Sequence, residues 1–225
     1  MGIRWPGSTE AAKRLQERLS KEVVIRRLQK NIHTIAAFDA SYCAYRIIAA
    51  VMVFTFPGLD LIEKAYAVRK VSFPYVPGLL SFREGPALLS AYKKLKNEPD
   101  LLLFDGQGIA HPRGLGIASH MGVILNKPSI GCAKSRLIGD FKEPQPSRGA
   151  YSFMYNNGKK IGIVLRTRSN VSPVFVSPGH LVSMEDALKI ILQCSVYRIP
   201  EPIRQVDRWC HDLKGRFCGD AKGRR

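Results

Sequence analysis

The chain has 225 residues, enough for one sizeable core or a domain with generous loops, and its 45% hydrophobic content excludes disorder as the default reading. Lys and Arg outnumber Asp and Glu by 35 to 18, for a formal charge of +17 and a pI near 10.0. Such an excess points to a polyanionic partner, of which nucleic acid is the commonest; an anionic membrane surface or a basic structural role fits the number as well.

Ser8 is placed to cap a helix, and Leu15, Leu19, Val23, Val24 and Leu28 continue at helical spacing to about Lys30. The other faces of that segment carry Lys13, Arg14, Arg18, Lys21, Arg26, Arg27 and Lys30. They form either a solvated surface or one that faces phosphates, and the sequence does not separate the two. His33–Ala40 then reads as a short strand ending near Asp39. Tyr45–Phe56 and Leu61–Val71, separated by Pro57-Gly58, complete a meander of three antiparallel strands.

Phe73–Gly85 contains Pro74 and Pro77 on either side of Tyr75-Val76. Proline fixes its own φ, so the loop is stiff and can present an aromatic side chain as a wedge or stacking platform. The plainer reading is a loop with a buried tyrosine. A helix capped at Ser81 is expected to run to about Lys96, with Pro86 in its first turn. Glu84 there is either a favourable charge at a helix start or a carboxylate aimed at a site.

Leu101–Phe104 is a continuous apolar run, the pattern of a strand buried on both faces. Asp105 ends it, and a carboxylate at the mouth of a buried strand needs a metal ion, a cation or hydrogen bonds to offset its charge. That position is also where ligands bind in open α/β sheets. Taken alone, Asp105-Gly106 reads better as the start of a turn, and the rest of the chain has to change that. Gly114–Leu125 follows as a helix with small residues for tight packing, its His120 a core or surface histidine. Lys127–Cys132 is a further parallel strand with Lys134 just beyond it, either solvated or approaching a phosphate.

Phe141–Gly149 is a loop rich in Pro, Ser and charge. Tyr151–Tyr155 and Ile161–Arg168 make a hairpin around Asn156-Asn157-Gly158. Val174–Val176 is a short strand followed by Ser177-Pro178-Gly179-His180, and Ser183 caps a helix through about Gln193. A last helix is expected around Ile203–Leu213, then a basic, flexible tail over 214–225, giving a single domain over 1–213. The five cysteines, Cys43, Cys132, Cys194, Cys210 and Cys218, have no repeated spacing and read as free thiols in a reducing compartment. Cys210, His211 and Cys218 lack the paired spacing of a zinc site. No signal peptide and no apolar run long enough for a bilayer are visible, so a soluble cytoplasmic protein is expected.

Three stretches together carry a resemblance: PYVPGLLSFREGPALL at Pro74–Leu89, DGQGIAHPRGLGIASHMGV at Asp105–Val123 and IGCAKSRLIG at Ile130–Gly139. With FDASY at Phe38–Tyr42 and SPGH at Ser177–His180, they closely resemble the endonuclease V (deoxyinosine 3′-endonuclease) family from about Ile32 to about Gln193. The resemblance implies an α/β, ribonuclease H-like mixed sheet, three antiparallel strands extended by parallel ones and flanked by helices. It implies a Mg²⁺-dependent cut at the second phosphodiester bond 3′ to deoxyinosine, with Mn²⁺ as a substitute ion and DNA repair as the role. It implies Asp39, Glu84 and Asp105 as metal ligands, His180 approaching them, and Lys134 beside the scissile phosphate. Tyr75 resembles the family wedge, and Pro77, Gly78, Leu80, Gly106, His111 and Gly116 resemble the pocket for the extruded base. Deoxyinosine-containing DNA is the expected partner of a monomer, with one ion or two. The alternatives are an inosine-specific ribonuclease, since nothing here reads a 2′-hydroxyl, or a non-catalytic binding module on the same fold.

Overall fold

Strands with continuous buried runs build the molecule around one sheet covered on both faces. The computed structural model describes residues 5–219. A first helix, α1 (Thr9–Ser20), leads to three antiparallel strands, β1 (Thr34–Cys43), β2 (Arg46–Thr55) and β3 (Leu61–Lys70). Helix α2 (Leu80–Tyr92) crosses to β4 (Leu101–Phe104), which lies parallel to β1, and α3 (Ile117–Leu125) crosses to β5 (Ser129–Ala133), parallel to β4. The hairpin β6 (Tyr151–Asn156) and β7 (Lys159–Leu165) joins the same sheet through β8 (Val174–His180), which is antiparallel to β5. The eight strands are ordered β3-β2-β1-β4-β5-β8-β7-β6, with α4 (Met184–Gln193) and α5 (Glu201–Gly219) closing the chain.

Side chains two apart on a strand share a face. Ala36, Phe38, Leu102 and Phe104 therefore pack under α2 and α3, against Ala87, Leu88, Ala118 and Met121. Ile35, Leu101 and Leu103 face the other way, onto Ala187, Ile190 and Ile191 of α4. Ala37, on that same face, meets Val206, Cys210 and Leu213 of α5. By the same parity Asp39 and Asp105 belong on the α5 side of the sheet.

Several expectations need correction. The helix foreseen to Lys30 stops at Ser20. Val23, Val24 and Ile25 are β-branched and favour extended backbone, and partners elsewhere take up the hydrogen bonds. The Val24 N–H donates to His180 Nδ1 at 3.2 Å, the Leu181 N–H to Val24 O at 2.7 Å, and the Leu28 N–H to Asp186 Oδ2 at 2.9 Å. β1 runs on to Cys43, so Asp39 lies inside a strand rather than at its end. α5 continues to Gly219, past the expected end at Leu213, and the rest of the foreseen tail lies outside the described residues. Cys43 and Cys218 form a disulfide, leaving Cys132, Cys194 and Cys210 free and buried. Five free thiols was the reading of spacing alone, which cannot show that β1 and α5 meet across 175 residues.

Candidate active site

β1 and β4 run parallel with Phe38 opposite Phe104, so the next residue on each chain, Asp39 and Asp105, emerges at the same level. β4 ends there while β1 continues, which opens the sheet beside the two carboxylates. α5 crosses this face and adds Asp207, one residue beyond buried Val206. One carboxylate oxygen from each of Asp39, Asp105 and Asp207 lies within 4.8 Å of the others. Asp39 is partly buried and its pKa is pushed up to about 6, by burial first and then by the charges of Asp207 and Asp105.

Glu84 reaches the same neighbourhood from α2. Tyr42 Oη donates to its Oε1 at 2.9 Å, and Arg83 lies 4.7 Å over the Tyr42 ring. Burial raises Glu84 to about 7 against the Tyr42 hydrogen bond, with the charges of Asp39 and Asp105 adding to the rise. Lys134 extends from the end of β5 and places Nζ 2.6 Å from Asp105 Oδ2 and 3.8 Å from Asp207 Oδ1. Partial burial opposes its charge, yet the hydrogen bond it donates to Asp105 and the charges around it outweigh that and raise its pKa.

The chemistry of this donor set fits a divalent cation. Hard carboxylate oxygens, few in number and open on one side, match Mg²⁺, which keeps waters and binds phosphate alongside. Like charges gathered this closely raise one another's pKa, and a dication reverses that penalty.

Next to the carboxylates lies a cavity of about 250 Å³. Tyr75, Pro77, Gly78 and Leu80 form one wall, and Gly106, His111 and Gly116 the other. Tyr75 is 71% exposed at its rim, so the reading of a presented aromatic holds over that of a buried one. Gly78 has φ +77°, and at Gly116 a Cβ would come within 2.2 Å of Gln107 O, so neither position admits a side chain without rearrangement. The Arg113 N–H donates to His111 Nδ1 at 3.2 Å, which leaves Nε2 protonated and donating to Gly78 O at 2.9 Å. Burial, aided by the Arg113 charge, lowers His111 to about 4 despite that bond, so the ring is neutral at pH 7. Neither α2 nor α3 has a side-chain N-cap hydrogen bond or an acidic residue in its first turn, and Leu80, Ser81, Gly116 and Ile117 at their starts all line the cavity. At the start of α3 the Gly116 and Ala118 N–H groups donate to Gly108 O and Gln107 O, so the unpaired backbone donors there are those of Leu80 and Ser81 at the start of α2.

Of the sequence-derived residues, Asp39, Asp105 and Lys134 meet, Glu84 stands outside the three-carboxylate group, the pocket residues line the adjoining cavity, and His180 lies elsewhere. His180 pairs with Ser129 at the beginning of β5, whereas Lys134 follows the end of that strand at Ala133, roughly 13 Å of strand away. Its Nδ1 is engaged by Val24, and it belongs to the packing of the 21–32 segment. Asp207 stands in the cluster instead. The apolar stripe Ile203, Val206, Cys210 and Leu213 makes the helix legible, but Asp207 is an acid among Arg204, Arg208 and Lys214, and nothing local says which face meets the sheet. His120 is the core histidine expected, its Nδ1 2.9 Å from Ser81 Oγ.

The endonuclease V family model matches residues 17–208. Endonuclease V of Dictyoglomus turgidum is 49% identical over 203 residues, 90% of this chain and 89% of that protein. The crystal structure of endonuclease V from Streptomyces avermitilis superposes with a TM-score of 0.89 at 37% identity, over 95% of this chain and 96% of that one. Endonuclease V of Ciona intestinalis, crystallised in complex with a 24mer DNA containing an inosine followed by a ribo-adenosine, matches with a TM-score of 0.79 at 27% identity, over 92% and 98%. These matches and the mixed eight-stranded sheet bear out the resemblance read from the motifs. The chain belongs to the endonuclease V family and is a nuclease.

Proposed function

We propose that the protein is a metal-dependent repair endonuclease that nicks DNA at the second phosphodiester bond 3′ to deoxyinosine, by water attack, leaving a 3′-hydroxyl and a 5′-phosphate. The observation that carries this reading is the meeting of Asp39, Asp105 and Asp207 within 4.8 Å beside a cavity of about 250 Å³. The inosine-containing DNA held by the Ciona relative supports the choice of substrate.

Asp39, Asp105 and Asp207 would hold Mg²⁺, or Mn²⁺ in its place, with Glu84 next to them. When bound, such an ion supplies Lewis-acid activation of water and charge stabilisation at the leaving oxygen. Lys134 keeps its charge beside Asp105 and offsets the charge gathering on the scissile phosphate. Tyr75 enters the gap left when the lesion base leaves the stack. Within the cavity the unpaired N–H groups at the start of α2 suit O6 of hypoxanthine, an acceptor, and oppose the 6-amino group of adenine, a donor. A base that leaves such buried groups unpaired is strongly rejected. Guanine shares O6 and adds a 2-amino group, so its rejection rests on the fit of the cavity rather than on these donors.

Asp105→Ala tests the reading. The variant is expected to keep the wild-type circular dichroism spectrum and to nick a deoxyinosine duplex in Mg²⁺ at least about a hundredfold more slowly. Nicking at the wild-type rate contradicts the proposal.

A further inference from the structure

We propose that Gln16, on the inner side of α1, is a positioning residue for base selection, its amide tying the two walls of the cavity together at the width one base requires. This rests on the cavity being the base pocket.

Helix α1 is basic and solvated on most of its surface, and its fully buried residues are Ala12 and Gln16. An apolar side chain would suffice to dock the helix, whereas a buried primary amide is costly unless its polar atoms are matched. All of them are. Nε2 donates to Leu115 O at 2.8 Å and to Gly78 O at 3.1 Å, and Oε1 accepts from Arg113 Nε at 2.5 Å. Both N–H groups and the carbonyl are thereby used. Gly78 closes the loop that presents Tyr75, while Leu115 and Arg113 lie between His111 and Gly116 on the opposite wall. One side chain therefore bridges two loops that are 62 and 99 residues from it in sequence.

The bridge is reinforced at Gly78. Its carbonyl receives donors from Gln16, from His111 Nε2 and from Arg113 Nη2 at 3.1 Å. A carbonyl with two lone pairs ringed by three donors is wholly committed to the protein. The Tyr75 loop is consequently fixed relative to the wall carrying His111 before any substrate arrives. Loss of Gln16 would leave this loop free to part from that wall, widening the cavity without touching Asp39, Asp105 or Asp207. The effect should fall on recognition of the base and spare the cut.

The experiment uses the full chain with Gln16→Leu and Gln16→Glu. Glutamate keeps the acceptor for Arg113, and so the docking of α1, but loses both donors to the carbonyls. KM, kcat and the melting temperature are measured on a deoxyinosine duplex in Mg²⁺, with a matched deoxyadenosine duplex as reference. A 2-aminopurine next to the lesion reports extrusion of the base on binding. In both variants KM should rise about tenfold and the 2-aminopurine signal should fall, while kcat at saturation stays within about twofold. An unchanged KM overturns the proposal, and so does a fall in kcat that accompanies a fall in melting temperature, the mark of a helix that merely props the fold. Should Gln16→Leu fail to fold, Gln16→Glu decides alone. If the wild-type protein cuts deoxyinosine and deoxyadenosine strands alike, the base-pocket reading fails and the proposal with it. If it discriminates and both variants still do, only the role of Gln16 fails.

Discussion

Burial, followed by the charge of neighbouring carboxylates, raises Asp39 to about 6 and Glu84 to about 7 from ordinary values near 4. Between roughly pH 4 and pH 7 the folded chain therefore holds protons that the unfolded chain has released, and metal-free stability falls as pH rises through that window. Asp39→Asn removes one of the two groups and should flatten the slope, stabilising the metal-free protein at pH 8 by about 1–3 kcal/mol. Melting curves from pH 4 to pH 8 in chelator check this; a wild-type curve that rises towards pH 8, parallel to that of the variant, would contradict it. Tyr75 belongs to the same scale. It is 71% exposed, so Tyr75→Ala should leave stability within about 0.5 kcal/mol of wild type. Loss of one stacking contact should weaken binding to a deoxyinosine duplex by about tenfold or more, with less effect on an undamaged duplex. Equal weakening on both duplexes in a binding titration would remove the wedge assignment. Asp105 and Lys134 were legible as residues that follow the ends of β4 and β5, whereas Asp39 and Glu84, inside β1 and α2, were singled out by the resemblance. The place of His180 was not legible, because the direction of β8 decides which end of the sheet it occupies, and β8 runs antiparallel to β5.

Among the elements, α5 contributes most that local sequence conceals. Its apolar stripe packs on Ala37, Ile48, Ala50 and Phe54, which brings Asp207 to the carboxylates of β1 and β4. Cys218 near its end is joined to Cys43 at the end of β1, so the helix is held at both its middle and its end. Thiol titration of protein denatured without reductant should accordingly find Cys132, Cys194 and Cys210 alone, and all five cysteines after reduction. Five reactive thiols before reduction would remove the tether. The segment 21–32 shows the opposite failure, where helical spacing was present and misleading. Capping by Ser8 was read correctly, its Oγ accepting from the Ala11 N–H at 3.2 Å. The end at Ser20 depended on β-branched residues and on backbone partners from β8 and α4, which no window of local sequence contains. The β6–β7 hairpin, by contrast, announced itself through Asn157 and Gly158, both at positive φ in the turn.

At the scale of the molecule, the order of strands is what turns scattered acids into a site. The meander and a buried four-residue strand were read from the pattern, and the resemblance implied the mixed sheet in which Asp39 and Asp105 share a site. Attachment of β6, β7 and β8 to the far edge was not expected, since hairpin signals do not say which sheet a hairpin joins. The formal charge of +17 draws a polyanion to the molecule, and the cluster of Asp39, Asp105 and Asp207 calls for a cation. That convergence is the claim on which the account stands, and anomalous diffraction from Mn²⁺-soaked crystals tests it most directly. The account predicts an anomalous peak ligated by Asp39, Asp105 and Asp207. Mn²⁺ bound elsewhere, with these three carboxylates left without a peak in protein that nicks deoxyinosine DNA in Mn²⁺, would contradict it.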